Sequence, residues 1–129
     1  IYTLSLHDAL PIFGRKVVLY GRGEQIRNFL NVRDTVDVVM KIINNPVFVN
    51  EVFLLADPIP RKMIDVIKDI FYLMGMKENI VYKEMRVADV LSVSADILKA
   101  KEKLSFEPKV SWFDGLNECI DYYSNHKLF

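Results

Sequence analysis

Arg27 and Phe29 form the first pair of residues whose types and spacing could bind a ligand. They are two positions apart in a segment predicted to be a strand, so their side chains should share one face. A guanidinium can hold a phosphate through two parallel hydrogen bonds while a neighbouring aromatic ring packs against the nucleotide. From residue type alone, the alternative is an arginine that is solvated or paired with Glu24 or Asp34.

The second candidate is the segment from Arg86 to Asp89, in a predicted loop after the last predicted strand. An arginine and an aspartate close together in a loop usually form a surface ion pair, and this is the interpretation from residue type alone.

Gly21 and Gly23 are the nearest feature to a glycine-rich phosphate loop. A dinucleotide-binding loop needs a third glycine and a helix that starts at once, with its first amides directed at the pyrophosphate. Here a polar turn and another extended segment follow instead. We therefore interpret these glycines as a turn that ends a strand.

The composition excludes several classes of function. Seventeen basic and seventeen acidic residues give a formal net charge of zero, which offers no electrostatic case for binding nucleic acid or an anionic membrane. No apolar run is long enough to span a bilayer. The single cysteine, Cys119, excludes an internal disulfide and favours a reducing, cytoplasmic setting. Outside the first twelve residues His126 is the only histidine, so no metal site is predicted.

Residues 1–12 are expected to be a non-native leader, because their sequence resembles a translated short-read sequencing adapter. A secretory signal would need an unbroken apolar core, which His7, Asp8 and Pro11 interrupt. The fold is therefore predicted for residues 13–129, a length that suits one small domain or one lobe of a larger protein.

The apolar pattern predicts an α/β chain in the order strand, strand, helix, strand, helix, strand, helix, helix. The predicted strands are residues 16–20, 26–32, 52–56 and 80–82, and the third is apolar throughout. The predicted helix starts are Asp34 or Thr35, Pro60, Ser94, and Ser111 with Asp114 as a capping box. These strands are too few for a complete doubly wound sheet, so apolar surface should be exposed where another lobe would pack.

These segments together resemble one family, the extended short-chain dehydrogenases/reductases, in the substrate-binding part of the NAD-dependent nucleotide-sugar epimerases and dehydratases. Members carry a glycine turn and then the pattern Arg-x-Phe/Tyr-x-x-Val-x-Asp, which Arg27, Phe29, Val32 and Asp34 match.

The later part of the chain resembles the same family. An Arg-Pro-Gly-Asp-like segment is matched by Arg86 and Asp89, although valine and alanine replace Pro-Gly. Residues 95–100, 104–108 and 113–116 resemble the closing pattern of the family, which is scaffold rather than chemistry.

The resemblance implies a small mixed sheet with helices, forming the C-terminal lobe of a Rossmann-type enzyme. It implies that Arg27 and Arg86 bind the diphosphate of a nucleotide sugar, that Phe29 lies against the nucleotide, and that Asp89 reaches the ribose. It also implies NAD(P) bound by an N-terminal part outside residues 13–129, and a cytoplasmic homodimer. No catalytic, cofactor-binding or metal-binding residue is assigned to this chain.

The catalytic pair of the family, Tyr-x-x-x-Lys, moves a proton as hydride leaves to the nicotinamide. Only Tyr123 with Lys127 has that spacing, and its place at the C-terminal end indicates chance. The chain alone is therefore predicted to lack the redox activity. Two alternatives stay open: the same lobe of a reductase with a non-nucleotide substrate, which would not need both arginines, or a free-standing α/β interaction module without enzyme activity.

Overall fold

The computed structural model describes residues 14–45, 48, 50–87 and 90–125, so the expected leader and Asp89 lie outside the described residues. The chain is a mixed α/β structure with four helices, which confirms the predicted fold class. The elements are β1 (Val17–Tyr20), β2 (Ile26–Arg27), α1 (Val32–Ile43), β3 (Arg61–Lys62), α2 (Met63–Leu73), β4 (Ile80–Lys83), α3 (Leu98–Leu104) and α4 (Trp112–Asn125).

Two short strand pairs form the sheet structure. β1 and β4 are parallel, with Val17 opposite Ile80. β2 and β3 are antiparallel, with Arg27 opposite Arg61. In the part of the chain that the structure describes, these pairs form two separate two-stranded sheets.

Helix α2 is the centre of the packing, because two of its faces are buried against different elements. Ile67 and Phe71 pack with Val17 and Leu19 of β1. Val66 and Ile70 pack with Leu116 of α4, joined at the edge by further partly buried residues of that helix: Trp112, Cys119, Ile120 and Tyr123. These four residues and Leu116 share the apolar face of α4.

A separate cluster joins α1 to α3, and the buried carboxylate of Asp34 fixes α1 to the loop before α4. Val38 packs with Ala100 and Leu104. The carboxylate of Asp34, only 4% exposed, accepts hydrogen bonds from the amides of Lys109 at 3.0 Å and Val110 at 3.3 Å. A buried carboxylate needs such donors to offset its lost hydration.

The start of α1 differs from the prediction. The predicted cap at Asp34 or Thr35 is wrong: Asn31 is the N-cap, and its side chain accepts a hydrogen bond from the amide of Arg33 at 2.8 Å. The helix therefore begins at Val32, and the strand predicted over residues 26–32 is shortened to Ile26–Arg27. The carboxylate of Asp34 is occupied by the loop before α4.

Three later predictions are also wrong, and one is confirmed. Residues 52–56 are not a hydrogen-bonded strand, and β3 lies at Arg61–Lys62 instead. α2 begins at Met63, with Lys62 as its N-cap, rather than at Pro60. α3 begins at Leu98 rather than after Ser94, and the Asp96 carboxylate accepts from the Leu98 amide at 2.9 Å. The capping box before α4 is confirmed: the Ser111 hydroxyl accepts from the Asp114 amide at 3.2 Å and donates to its carboxylate at 2.6 Å.

The predicted exposure of apolar surface is confirmed. One stripe of α1 is solvent-exposed although it is apolar, at Val32, Val36, Val39, Met40 and Ile43. Among the described residues, no helix has the length and hydropathy that crossing a membrane requires.

The turn at Gly23 generates the first prediction. Gly23 has a φ of +73°, and a Cβ there would lie 2.9 Å from the Cβ of Ile64. Gly23→Ala should lower the free energy of unfolding by about 3 kcal/mol, combining left-handed strain with a clash. Gly75→Ala is the matched control: its φ is +61° with no heavy atom within 4 Å, so it should cost only about 1 kcal/mol. Urea unfolding followed by the fluorescence of Trp112 measures both, and equal losses would contradict the packing described at Gly23.

The ion pairs of Glu51 generate the second prediction. The Glu51 carboxylate accepts from the ammonium groups of Lys103 at 2.8 Å and Lys99 at 2.7 Å. Hydrogen bonds and charge from these lysines lower its pKa from 4.5 to about 2. A lowered pKa means that the stabilisation is present above the ordinary pKa and is lost as pH falls towards 2. NMR titration of the Glu51 carboxyl should give the low pKa, and replacing both lysines by methionine should return it to its ordinary range. An unshifted value in the unsubstituted chain would exclude these ion pairs in solution.

Candidate functional site

β2 lies between two other segments, which brings distant parts of the chain together. On one side it pairs with β3. On the other, the amide of Ile26 donates to the carbonyl of Leu91 at 2.8 Å, and the amide of Val93 donates to the carbonyl of Ile26 at 3.3 Å. Residues 90–93, which follow Asp89 directly, are therefore fixed beside β2.

The Arg27 guanidinium is half-buried and is held by neutral carbonyl groups. Its Nη1 donates to the carbonyl of Ile26 at 2.7 Å, and its Nη2 donates to the carbonyl of Val90 at 2.8 Å. These two bonds fix the plane of the guanidinium, and neither acceptor is charged. A guanidinium has five N–H donors, and only two bonds to described residues are recorded for Arg27, so the remaining donors could bind an anion.

No carboxylate pairs with Arg27 among the described residues. Neither alternative partner suggested by the sequence is used: Asp34 accepts from the loop before α4, and Glu24 makes no recorded ion pair. The ion pairs of the described chain all lie elsewhere, on Arg33, Lys99, Lys101, Lys103 and Lys109.

The Arg86 side chain lies over an aromatic ring at the end of β1. Its guanidinium carbon is 3.6 Å from the centroid of the Tyr20 ring, a cation–π contact. The chain can approach here because a Cβ on Gly21 (φ +68°) would lie 3.3 Å from the Sδ of Met85. Arg86 is exposed and takes no ion pair among the described residues.

Arg27 and Arg86 therefore meet the same connecting segment. Arg86 lies on the segment that follows β4, and Arg27 donates to the carbonyl of Val90, four residues further along it. Asp89 lies outside the described residues, so its predicted role stays a prediction. Arg86 and the carbonyl acceptor of Arg27 thus lie on one connection, and a shared anionic ligand stays a prediction.

Phe29 packs against protein rather than standing free. Its ring centroid is 5.5 Å from that of Trp112, at an interplanar angle of 59°, and it borders the cluster formed by Val66, Ile70 and Leu116. The ring is only partly buried, so one part of it stays accessible. Its predicted contact with a nucleotide stays a prediction.

Arg61 is a third guanidinium at this place, and the sequence analysis missed it. It lies opposite Arg27 across the β2–β3 pair, and its guanidinium carbon is 4.3 Å from the ring centroid of Trp112. The Nε1–H of Trp112 in turn donates to the carboxylate of Asp69 at 2.7 Å. The buried Nε of Arg61 has no hydrogen-bond partner among the described residues. The pairing register of β2 and β3 places Arg61 beside Arg27. The sequence pattern did not predict this position, since it assigned residues near Pro60 to the start of a helix.

The glycine turn does not fit a dinucleotide. The carbonyl of Gly23 accepts from the amide of Ile64 at 2.9 Å, and the carbonyl of Gln25 accepts from the amide of Met63 at 2.9 Å. The turn thus occupies the first amides of α2 with its own carbonyls, whereas a pyrophosphate needs free amides at a helix start. The amides of Met63 and Ile64 are therefore not free to bind a pyrophosphate.

Two open depressions of the surface are lined by residues other than Arg27 and Arg86. One, of about 500 Å³, is bounded mainly by α1 and α3, and the other, of about 690 Å³, by α1, α4 and the preceding loop. Neither is lined by Arg27, Phe29 or Arg86. No group of three or more potential metal ligands occurs within the described ranges.

Comparison with known proteins shows that the chain is similar to enzymes that act on nucleotide sugars. No family model matches the chain. It is 31% identical over 110 residues to UDP-glucuronic acid decarboxylase 1 of Xenopus tropicalis, covering 85% of this chain and 26% of that protein. The solved UDP-glucose 4-epimerase of Thermotoga maritima, with UDP-glucose, superposes with a TM-score of 0.77 at 30% identity, covering 92% of this chain and 38% of that one. MoeE5, solved with UDP-glucuronic acid and NAD, gives a TM-score of 0.82 at 26% identity, covering 93% and 40%.

The homologues and structural neighbours are nucleotide-sugar epimerases, dehydratases and decarboxylases of the extended short-chain dehydrogenase/reductase type, matching over about 90% of this chain. The resemblance predicted from the sequence is therefore confirmed. The chain spans 35% of the length of dTDP-glucose 4,6-dehydratase of Escherichia coli and 26% of the length of the Xenopus tropicalis decarboxylase.

Proposed function

We propose that this chain is the substrate-binding part of an NAD(P)-dependent nucleotide-sugar epimerase or dehydratase. In this proposal Arg27 and Arg86 hold the diphosphate of the substrate, and Phe29 and Asp89 contact its nucleotide. A Rossmann-type part outside this chain binds the cofactor and carries out hydride transfer.

The observation that carries the proposal is the state of the Arg27 guanidinium. It is half-buried and fixed by two carbonyl oxygens, with no carboxylate beside it among the described residues. Burying a charge without a counter-charge is costly, so a pre-oriented and unpaired guanidinium is expected where an anion binds. A diphosphate supplies that anion, and its oxygens match the bidentate geometry of arginine.

The ligands of the solved neighbours support the substrate class proposed for this chain. The Thermotoga maritima epimerase was solved with UDP-glucose, and MoeE5 with UDP-glucuronic acid and NAD. Both ligands are nucleoside diphosphates linked to a sugar, which agrees with a site built around guanidinium groups. A non-nucleotide carbonyl substrate would give no reason for two arginines that make no ion pair among the described residues.

The described residues support the proposal that this chain binds the substrate and that another part of the enzyme binds the cofactor. They include arginines suited to holding a diphosphate, and the glycine turn is closed to a pyrophosphate. We therefore assign binding and orientation of the substrate to this chain, which fix the sugar relative to the nicotinamide when the cofactor-binding part is present.

Arg27→Ala tests the assignment of the diphosphate clamp. With this chain joined to the cofactor-binding part of the Thermotoga maritima epimerase, the substitution should weaken UDP-glucose binding by about 1.5–3 kcal/mol, the usual range for hydrogen bonds to charged groups. Isothermal titration calorimetry measures the change in Kd. Arg33→Ala is the control, because the Arg33 guanidinium pairs with Glu118 and should leave Kd unchanged. Unchanged affinity in Arg27→Ala would remove Arg27 from the site.

The chain alone is expected to give no turnover, because it supplies no assigned catalytic residue. The isolated 129-residue chain is incubated with NAD and UDP-glucose, and product sugars and reduced nicotinamide are assayed. Measured hydride transfer would overturn the proposed division of labour. The joined protein, assayed in parallel, controls for inactive reagents.

A further inference from the structure

Arg61 and Arg27 lie directly opposite each other across the β2–β3 pair. Opposite residues of an antiparallel pair project from the same face, with their Cβ atoms about 4.5–5.5 Å apart. The Arg61 guanidinium lies over the ring of Trp112, and the same ring contacts Phe29. Arg61 is therefore on the Phe29 side of Arg27, which is the side proposed above for the nucleotide.

An aromatic contact alone holds the Arg61 guanidinium among the described residues. Its guanidinium carbon is 4.3 Å from the centroid of the Trp112 ring, and no hydrogen bond or ion pair to a described residue is recorded for it. A guanidinium has five N–H donors, and buried N–H groups are nearly always paired in native proteins. An acceptor on a ligand would satisfy donors that the described part of the lobe leaves without one.

A second contact fixes the ring over which Arg61 lies. The Nε1–H of Trp112 donates to the carboxylate of Asp69 on α2 at 2.7 Å, and the ring packs at the edge of the cluster between α2 and α4. The recorded partner of the Asp69 carboxylate is thus the indole rather than Arg61. A fixed aromatic face orients the plane of a guanidinium without using its N–H donors.

The two opposite arginines reach different places, so one phosphate does not account for both. Arg27 donates to the carbonyl of Val90, whereas Arg61 lies over Trp112. On the nucleotide side of a diphosphate, the base carries the polar groups that differ between nucleotides. Arginine donors pair with base carbonyl oxygens, such as those of thymine and guanine, whereas adenine presents an amino donor in place of such an oxygen.

We propose that Arg61 is a specificity-determining residue that donates to a carbonyl oxygen of the nucleobase. The chain therefore prefers a uracil or thymine nucleotide to an adenine nucleotide. In this inference, which rests on the proposed function, Trp112 and Asp69 are positioning residues, because they orient the Arg61 guanidinium without contacting the ligand.

The Kd values of the joined protein for UDP-glucose and ADP-glucose, measured by calorimetry, test the proposal. Arg61→Met should weaken UDP-glucose binding by about tenfold or more, the usual range for a hydrogen bond to a charged group. The Kd for ADP-glucose should change much less, so the preference for UDP-glucose should fall. Equal losses for the two nucleotide sugars would indicate a structural role and overturn the proposal.

Lys62→Met is the matched control, because it also removes one positive charge from β3. Lys62 is exposed and, as the next residue of the strand, projects from the opposite face to Arg61. It is the N-cap of α2 but makes no side-chain capping hydrogen bond. Lys62→Met should leave the preference for UDP-glucose unchanged, and equal effects of the two variants would contradict a specific contact with Arg61.

A measurement on the unsubstituted joined protein does not depend on how a variant folds. The NMR signal of the Arg61 Nε–H should shift when UDP-glucose is added and should shift less with ADP-glucose, because only uracil supplies the carbonyl acceptor. A signal that responds equally to both ligands would overturn the proposal.

Arg27→Ala separates this inference from the proposed function. Arg27 is assigned to the diphosphate, which both ligands contain, so its loss should weaken the binding of UDP-glucose and ADP-glucose alike. If it does so while Arg61→Met leaves the preference unchanged, the base contact is wrong and the proposed function stands. If the joined protein binds neither nucleotide sugar, both are wrong.

Discussion

The candidate site depends on the backbone hydrogen bonds of a two-residue strand. Ile26 bonds to residues 91 and 93 on one side, while β2 pairs with β3 on the other. These bonds join three segments that are distant in the sequence. They fix Arg27 beside the connection that carries Arg86 and bring Arg61 opposite Arg27. Without this ribbon the guanidinium groups would lie on independent loops.

The pairing of β2 with β3 brings Arg27 and Arg61 together, and neither arginine makes an ion pair among the described residues. Like charges directly opposite on paired strands are destabilising, yet Arg27 and Arg61 occupy such positions. Their side chains diverge, Arg27 to the carbonyl of Val90 and Arg61 to the ring of Trp112. Both contacts order a guanidinium and leave its charge in place. Under the proposed function, a bound diphosphate would supply the opposing charge.

Sequence reasoning succeeded where the signal was local. Glycine turns, helix periodicity and the Ser111–Asp114 capping box were sufficient to predict the α/β class and the four helices, since each depends on residues a few positions apart. It failed at Asn31, because two side chains could cap α1 and tertiary contacts decided between them: the Asp34 carboxylate is taken by the loop before α4. It could not predict Arg61, since nothing local specifies that residues 61 and 27 pair.

The apolar segment 52–56 shows a different kind of discrepancy. Its composition predicts a buried strand, whereas its outer face is exposed and its backbone unpaired among the described residues. Apolar composition alone does not distinguish a strand from an extended surface segment whose alternate side chains, Phe53 and Leu55, pack against the cluster of α1 and α3.

The central claim is that Arg27 and Arg86 hold one diphosphate, and a double-mutant cycle on UDP-glucose binding tests it most directly. Kd is measured by calorimetry for the joined protein, for each alanine variant and for the double variant. Two guanidinium groups on one ligand predict an interaction energy of about 0.5 kcal/mol or more. Losses that add within error, or no loss in Arg86→Ala, would show that the two arginines do not share a ligand.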